Sequence, residues 1–365
     1  MSKLKIGWAE ESITPEKKVS LVGQFAERIS EYVEKPITVT ALAISNGDEQ
    51  AIICSTDLVG VSIGLTKKIR EKIEKTNNEI DTKKVIICAI HTHTGPGYKE
   101  RGVNASTKYS GKANSFRALL EENLPADKKY VEKVDVSGNK DIMSNDELSE
   151  FLSDRIAKAA VDAWNNRREG GFSNAFGRAA VGMCRRASYS DGSAQMWGDT
   201  NQAVFEAVEG GNDNGIELMF VYDAAKKLTG IVINLACPAQ CVQHRLFVSP
   251  DFWGEVKVLL RKHFGEDLFI LPLCSAAGDQ CPVDIVRWVE PESDVNDPNI
   301  NRKHPLKRKA DPSMFDIAGM KKVGRRIAQE IIATYEEWLD DSQTDVEFEH
   351  RVEIMELPLR RATLA

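Results

Sequence analysis

Apolar and polar positions in this chain switch between two periods, and the switches predict its elements. Ile37–Ser45 is a nearly unbroken apolar, β-branched run, Asn46-Gly47 follows it, and Gln50–Thr56 is a second such run. Two strand-like runs around Asn-Gly read as a hairpin. From Ser62 the period changes, with Leu65, Ile69 and Ile73 recurring among lysines as in an amphipathic helix. Lys84–Ile90 is apolar without alternation, so it is expected to be buried on both faces. Strand, helix and strand in succession make a βαβ unit, whose strands run parallel and end on one edge. Asp57 and His91 terminate those strands.

Residues 105–145 read as an irregular insertion. Ser144 with Glu147 forms a capping box, opening a helix with Leu148, Phe151, Leu152, Ile156, Ala159 and Trp164 at helical spacing. After Arg167–Gly171 strands return, with a turn at Ser190–Ser193 and a strand at Glu217–Tyr222. A second βαβ unit follows. Thr229–Ala236 is its first strand, Asp251 caps a helix carrying Phe252, Val256, Leu259 and Leu260, and Leu268–Leu273 is its second strand. Cys237 and the segment Ser275–Cys281 therefore share an edge. Residues 290–312 are polar and hold the basic run Arg302–Lys309, read as a solvated loop or a phosphate or lipid-headgroup contact. A helix is predicted from about Ser313 to Trp338, with Ile317, Met320, Ile327 and Ile331 on one face, and Val346, Phe348, Val352 and Ile354 alternate as a strand would. Neither a repeat nor a linker is visible, so the expectation is one α/β domain over residues 1–365, its mixed sheet built on parallel βαβ units flanked by helices.

Composition narrows the function. The 365 residues carry 48 Lys+Arg against 55 Asp+Glu, a net charge of −7. That balance argues against a nucleic-acid partner. No apolar run is long enough to span a bilayer or anchor the chain in one. The N-terminus lacks the apolar core of a secretory signal. Seven cysteines, an odd number spread over a long chain, do not form a disulfide framework. The expectation is a reduced, cytoplasmic protein.

Three constellations could carry chemistry. His91-Thr-His-Thr-Gly-Pro-Gly97 sets two of only six histidines at i and i+2, where a strand ends. In extended geometry the two side chains share a face. They are either metal-binding or catalytic, or they stabilise the turn through backbone hydrogen bonds. In Asn234–His244, Cys237, Cys241 and His244 lie close together. Thiolate and imidazole are both zinc ligands. Cys241 reads as core, whereas Cys237 and His244 flank the edge. In Cys274-Ser-Ala-Ala-Gly-Asp-Gln-Cys-Pro282 the reactive side chains are Asp279 and Cys281, on a turn that could aim amides at an oxyanion, or in which Asp279 satisfies backbone amides. Asp57 reads as a partner orienting a ligand or as a loop cap. Cys184-Arg-Arg186 could clamp a carboxylate or developing negative charge.

Together these segments resemble the neutral, non-lysosomal ceramidase family. His91-Thr-His-Thr-Gly-Pro-Gly97 is similar to that family's His-Thr-His-Ser-Gly-Pro-Gly, Gly278-Asp-Gln-Cys-Pro282 to its Gly-Asp-Val-Ser-Pro, and Ala9–Pro15 to its opening segment. The resemblance runs from about residue 5 to about residue 285. It implies a ceramidase-like catalytic domain, a zinc cofactor and a small-molecule N-acyl amide substrate. It makes His91 a zinc ligand and gives His93 a substrate or proton role. It sets Cys237, or else His244, at a second ligand position, Arg185 at the family's arginine, and Asp279 and Cys281 in the catalytic turn. Cys281 stands in the serine place. The family's glutamate and tyrosine ligands and its immunoglobulin-like domain lie further on, so the chain is expected to be shortened. The leading expectation is a zinc-dependent amide hydrolase. The alternatives are a metal-free acyl hydrolase using Cys281 as nucleophile, and a relative that binds ligand without turnover.

Overall fold

The computed structural model describes residues 3–24, 28–47, 49–97, 139–286, 288–289, 307–308, 312–337 and 342–358. Eight strands form the main sheet: β1 Lys5–Ser12, β2 Thr38–Asn46, β3 Glu49–Thr56, β4 Val85–Ala89, β5 Arg168–Arg178, β6 Gly215–Asp223, β7 Leu228–Leu235 and β8 Phe269–Cys274. Among the described residues four α-helices accompany them: α1 Ile63–Thr76, α2 Asn145–Asn165, α3 Phe252–Phe264 and α4 Asp316–Glu337. The spatial order is β8-β7-β6-β5-β1-β2-β3-β4. Pairing is antiparallel except between β3 and β4 and between β7 and β8, the two βαβ units.

The topology repeats although the sequence does not. Each half runs through three antiparallel strands, a helix, a strand parallel to the third, and a second helix. Topology needs only apolar positions in the right periods, so unrelated residues can encode the same path twice. The halves share little ladder, with β1 meeting β5 at Lys5↔Glu169 and Ile6↔Arg168. Packing joins them instead. Ile6 and Trp8 of β1, Leu42 of β2, Val221 of β6, Val232 of β7 and Leu271 of β8 form a core between the half-sheets. There Trp8 stacks on Phe269 at 5.7 Å. The outer faces carry helices, α1 and α2 on the first half and α3 and α4 on the second. The layers therefore run helix, sheet, sheet, helix. Inner strands are covered on both faces, which is why β2 and β7 read as continuous apolar runs.

Local chemistry sets the elements. Ser144 and Glu147 form the full reciprocal capping box of α2. Ser62 caps α1 by accepting from the Leu65 amide at 3.1 Å. Gly7 lets β1 approach the end of α2, where a Cβ would stand 2.1 Å from the Ala163 carbonyl oxygen.

Several expectations change. β1, central in the sheet, does not read as a strand in the sequence because Gly7, Glu10 and Glu11 interrupt its alternation. β4 is an edge strand with Ile86 42% exposed, not one buried on both faces. Val346–Ile354 pairs with no strand among the described residues. Val346 packs against the inter-sheet core, while Ile354 is 96% exposed. Most of the 105–145 insertion and most of the basic run lie outside the described residues. Lys307–Arg308 pairs with Trp288–Val289. No helix among the described residues is long and apolar enough to cross a membrane.

Helix α3 is also tied to the first half by charge. Arg261 meets Glu10 at 3.0 Å, Lys35 meets Glu255 at 3.2 Å, and Lys257 meets Asp57 at 2.9 Å. The last pair is buried, with side-chain exposures of 8% and 1%. Asp57 also accepts from the Thr38 amide at 2.8 Å. It thus serves the junction of the halves rather than His91. Removing one member of such a pair strands the other charge, at about 3–5 kcal/mol. Asp57→Ala should lower stability by roughly that amount in denaturant titration, and adding Lys257→Met should recover most of the loss.

Candidate active site

The site forms where the loop after β4 meets the loop after β7. His91, just past β4, adopts φ +62°. This left-handed turn, not extended geometry, brings its ring edge to face with His93 at 5.0 Å between centroids. The turn is held from several sides. Thr92 and Thr94 both donate to the Ser249 carbonyl at 2.9 Å. The His93 amide donates to the Ala239 carbonyl at 3.2 Å and the Gly97 amide to Ser20 at 2.8 Å. The facing loop is anchored by buried Asp251, which accepts from the Val242 and Phe252 amides at 2.9 and 2.6 Å.

Gln240 joins the two loops. Its side-chain nitrogen lies 2.9 Å from His93 Nε2, and its oxygen accepts from Arg185 Nη1 at 3.2 Å. A guanidinium only donates, so Arg185 fixes which end of the amide faces it. The amide NH₂ must then point at His93, and His93 Nε2 must accept. The His93 proton is thereby assigned to Nδ1, which is buried without a partner. His91 has the same tautomer, because its Nδ1 lies 2.8 Å from the Val59 carbonyl, which can only accept. Its Nε2 keeps the lone pair. One ring thus offers a base and its neighbour a donor.

His93 is 8% exposed. Burial, then His91 and the Arg28 and Arg185 guanidiniums, brings its pKa down to about 3. Gly23, at φ +99°, packs on the ring, and a Cβ there would stand 2.3 Å from His93 Cγ. Buried Arg28 donates to the carbonyls of His93 at 2.6 Å, Val22 at 2.7 Å and Arg245 at 3.0 Å. Arg185 also reaches the Gly278 carbonyl at 2.9 Å, and its own amide binds the Asp279 carbonyl at 2.9 Å. Trp197 stands 6.0 Å from the Arg185 guanidinium. On the Val59 side opens a groove of about 280 Å³ lined by Val22, Val59, Val61 and Pro96.

Of the expected site residues, His91, His93 and Arg185 come together through Gln240. The Asp279 carboxylate turns toward Gly210, leaving its main chain to hold Arg185. The Cys281 thiol is buried and donates to the Val283 carbonyl at 3.0 Å. Burial pushes its pKa up to about 12, so it lacks both the access and the thiolate character of a nucleophile. Cys237 sits in the core at 0% exposure, and burial raises its pKa well above the ordinary value. His244 points outward, stacking on Phe315 at 4.9 Å with Nε2 3.6 Å from Asp316. The expected set of His91, His244 and Cys237 is therefore not gathered. Among the described residues no group of three or more His, Cys, Asp or Glu could hold a metal. Hydrogen bonding leaves a lone pair on His91 Nε2 but a proton on His93 Nδ1. The described donors thus fall short of the three protein ligands usual for catalytic zinc.

No protein-family model and no curated protein matches the sequence. Solved structures do. The crystal structure of neutral ceramidase from Pseudomonas aeruginosa is similar at a TM-score of 0.62 and 14% identity, over 94% of this chain and 46% of that one. A ceramidase complexed with C2 gives 0.61 and 13%, over 94% and 45%. The chain has this ceramidase fold, and it spans about half the length of those structures.

Burial of the His93 ring, beside His91 and two guanidiniums, fixes a titration. The folded His93 takes a proton only near pH 3, whereas the unfolded chain takes one near 6.5. Between those values the unfolded state binds more protons, so this residue's contribution to stability falls as the pH falls. His93→Gln should flatten the decline in stability between pH 6.5 and pH 4 in denaturant titrations. By NMR the His93 ring should remain neutral at pH 4.5.

Proposed function

We propose that this chain hydrolyses N-acyl amides at the His91–His93 pair. The observation carrying this reading is the complementary protonation of the two rings, a free lone pair on His91 Nε2 beside a free N–H on His93 Nδ1. The ceramidase fold supports the substrate class.

His91 Nε2 takes a proton from water as its oxygen bonds to the amide carbon. His93 Nδ1–H donates to the carbonyl oxygen as charge builds there, once Gly23 shifts off the ring that it covers. The C–N bond then breaks, and the proton held by His91 passes to the departing nitrogen. Arg185 keeps Gln240, and through it His93, in the donating tautomer, and its charge favours the developing oxyanion. A donor aimed where charge develops stabilises the transition state most when it is already in place. The Val59 groove receives the acyl chain.

A zinc-dependent version of the reaction has support in the resemblance and in the His91 Nδ1 bond to a carbonyl, which is how metal-bound histidines are commonly held. It requires ligands beyond the described residues. The described donors alone bind zinc weakly.

His91→Ala should lower kcat/KM on an N-acyl amide by about 10²–10⁴, with an unchanged melting temperature. An unchanged rate would defeat the reading. Zinc added to the purified chain should be lost on desalting, as measured by atomic emission. One retained equivalent that disappears in His91→Ala would instead establish the zinc-dependent version.

A further inference from the structure

The two sides of the histidine pair differ in chemistry. Behind His91 the surface is apolar, since Val59, whose carbonyl holds that ring, lines the groove with Val22, Val61 and Pro96. Behind His93 it is cationic, since Gln240 leads directly to Arg185. A reacting amide lying across the pair would have one half in each environment.

Among the described residues, the cations there lack counter-charges. Arg185 donates to the Gln240 oxygen and the Gly278 carbonyl, both neutral, and its Nε–H is buried without an acceptor. Arg28, 8% exposed, is met by three neutral carbonyls, and its Nε is also unpartnered. Neither pairs with a carboxylate among the described residues, whereas neighbouring Arg186 pairs with Glu209. Keeping guanidinium charge out of water without an anion is costly. Of the two, Arg185 is only partly buried, and it presents unused N–H groups of a planar fork suited to a carboxylate. Its main chain is braced by the amide of Trp197, which donates to the Arg185 carbonyl at 2.7 Å, and by the Asp279 carbonyl.

We propose that the substrate is an amide whose amine half carries a carboxylate, an N-acyl amino acid, with the carboxylate on Arg185 and the acyl chain in the Val59 groove. This rests on the hydrolase reading for turnover, but the anion site stands on Arg185 alone, whose guanidinium pairs with no carboxylate among the described residues. The two products would be a fatty carboxylate and a free amino acid.

N-octanoylglycine and its neutral counterpart N-octanoylglycinamide separate the two ideas. Their binding is measured by calorimetry on the full-length His91→Ala chain, which should not turn them over. The acid should bind at least about tenfold tighter, with a preference that weakens as salt rises and disappears on adding Arg185→Gln. Equal binding, no binding, or a preference surviving Arg185→Gln would overturn the proposal. Should Arg185→Gln fail to fold, the acid-to-amide comparison and its salt dependence decide alone. The wild-type chain tests the hydrolase reading separately. Preferential acid binding without turnover would defeat the hydrolase and keep the anion site. Turnover without preference for the acid would do the reverse.

Discussion

One amide group sets the chemistry of this site. Gln240 is 2% exposed and lies between a guanidinium that can only donate and an imidazole. Its orientation is therefore determined, and with it the side of the His93 ring that carries the proton. A buried amide with one end committed transmits that commitment without moving. Val59 imposes the same tautomer on His91 from the opposite side, through a backbone carbonyl that has no alternative role. The resulting pair needs neither ring to be charged at rest. That suits a setting in which burial and two guanidiniums disfavour the imidazolium.

The cysteines stand apart from this geometry. Cys237 and Cys281 lie in the same helix-facing core, where a thiol is a small apolar group and ionising it would mean desolvating a charge. Zinc chemistry at Cys237 would require that core to open. The loop after β7 contributes through Gln240 instead, three residues further along.

Much of the fold was legible because it rests on periodicity. The hairpin at Asn46-Gly47, the capping box at Ser144 and both βαβ units appear as the sequence patterns predict. β1 was not legible, because its glycine and two glutamates answer to tertiary neighbours: Gly7 to α2, and Glu10 to Arg261. Within the site, the His91–His93 motif and Arg185 stand out by residue type and position. Gln240 and Arg28 do not. A glutamine or an arginine in a sequence is ordinarily a surface residue, and only the folded chain reveals which of them is held between others. The i, i+2 rule placed the two imidazoles on one side for the wrong reason, since a left-handed residue rather than an extended strand joins them.

The narrow seam between β1 and β5 has a mechanical implication. With two residue pairs of main-sheet ladder at the join, the half-sheets are positioned relative to one another by side-chain interlock, by the charges on α3 and by loop contacts such as Thr92 and Thr94 to Ser249 and Tyr32–Val33 to Phe247–Val248. His93 belongs to one half and Gln240 to the other. The 2.9 Å contact between them therefore works as a gauge of how the two bodies sit. A small slip along the Trp8–Phe269 stack would reach the imidazole as a change in hydrogen-bond length, making the protonation pattern of the pair a readout of how the half-sheets align.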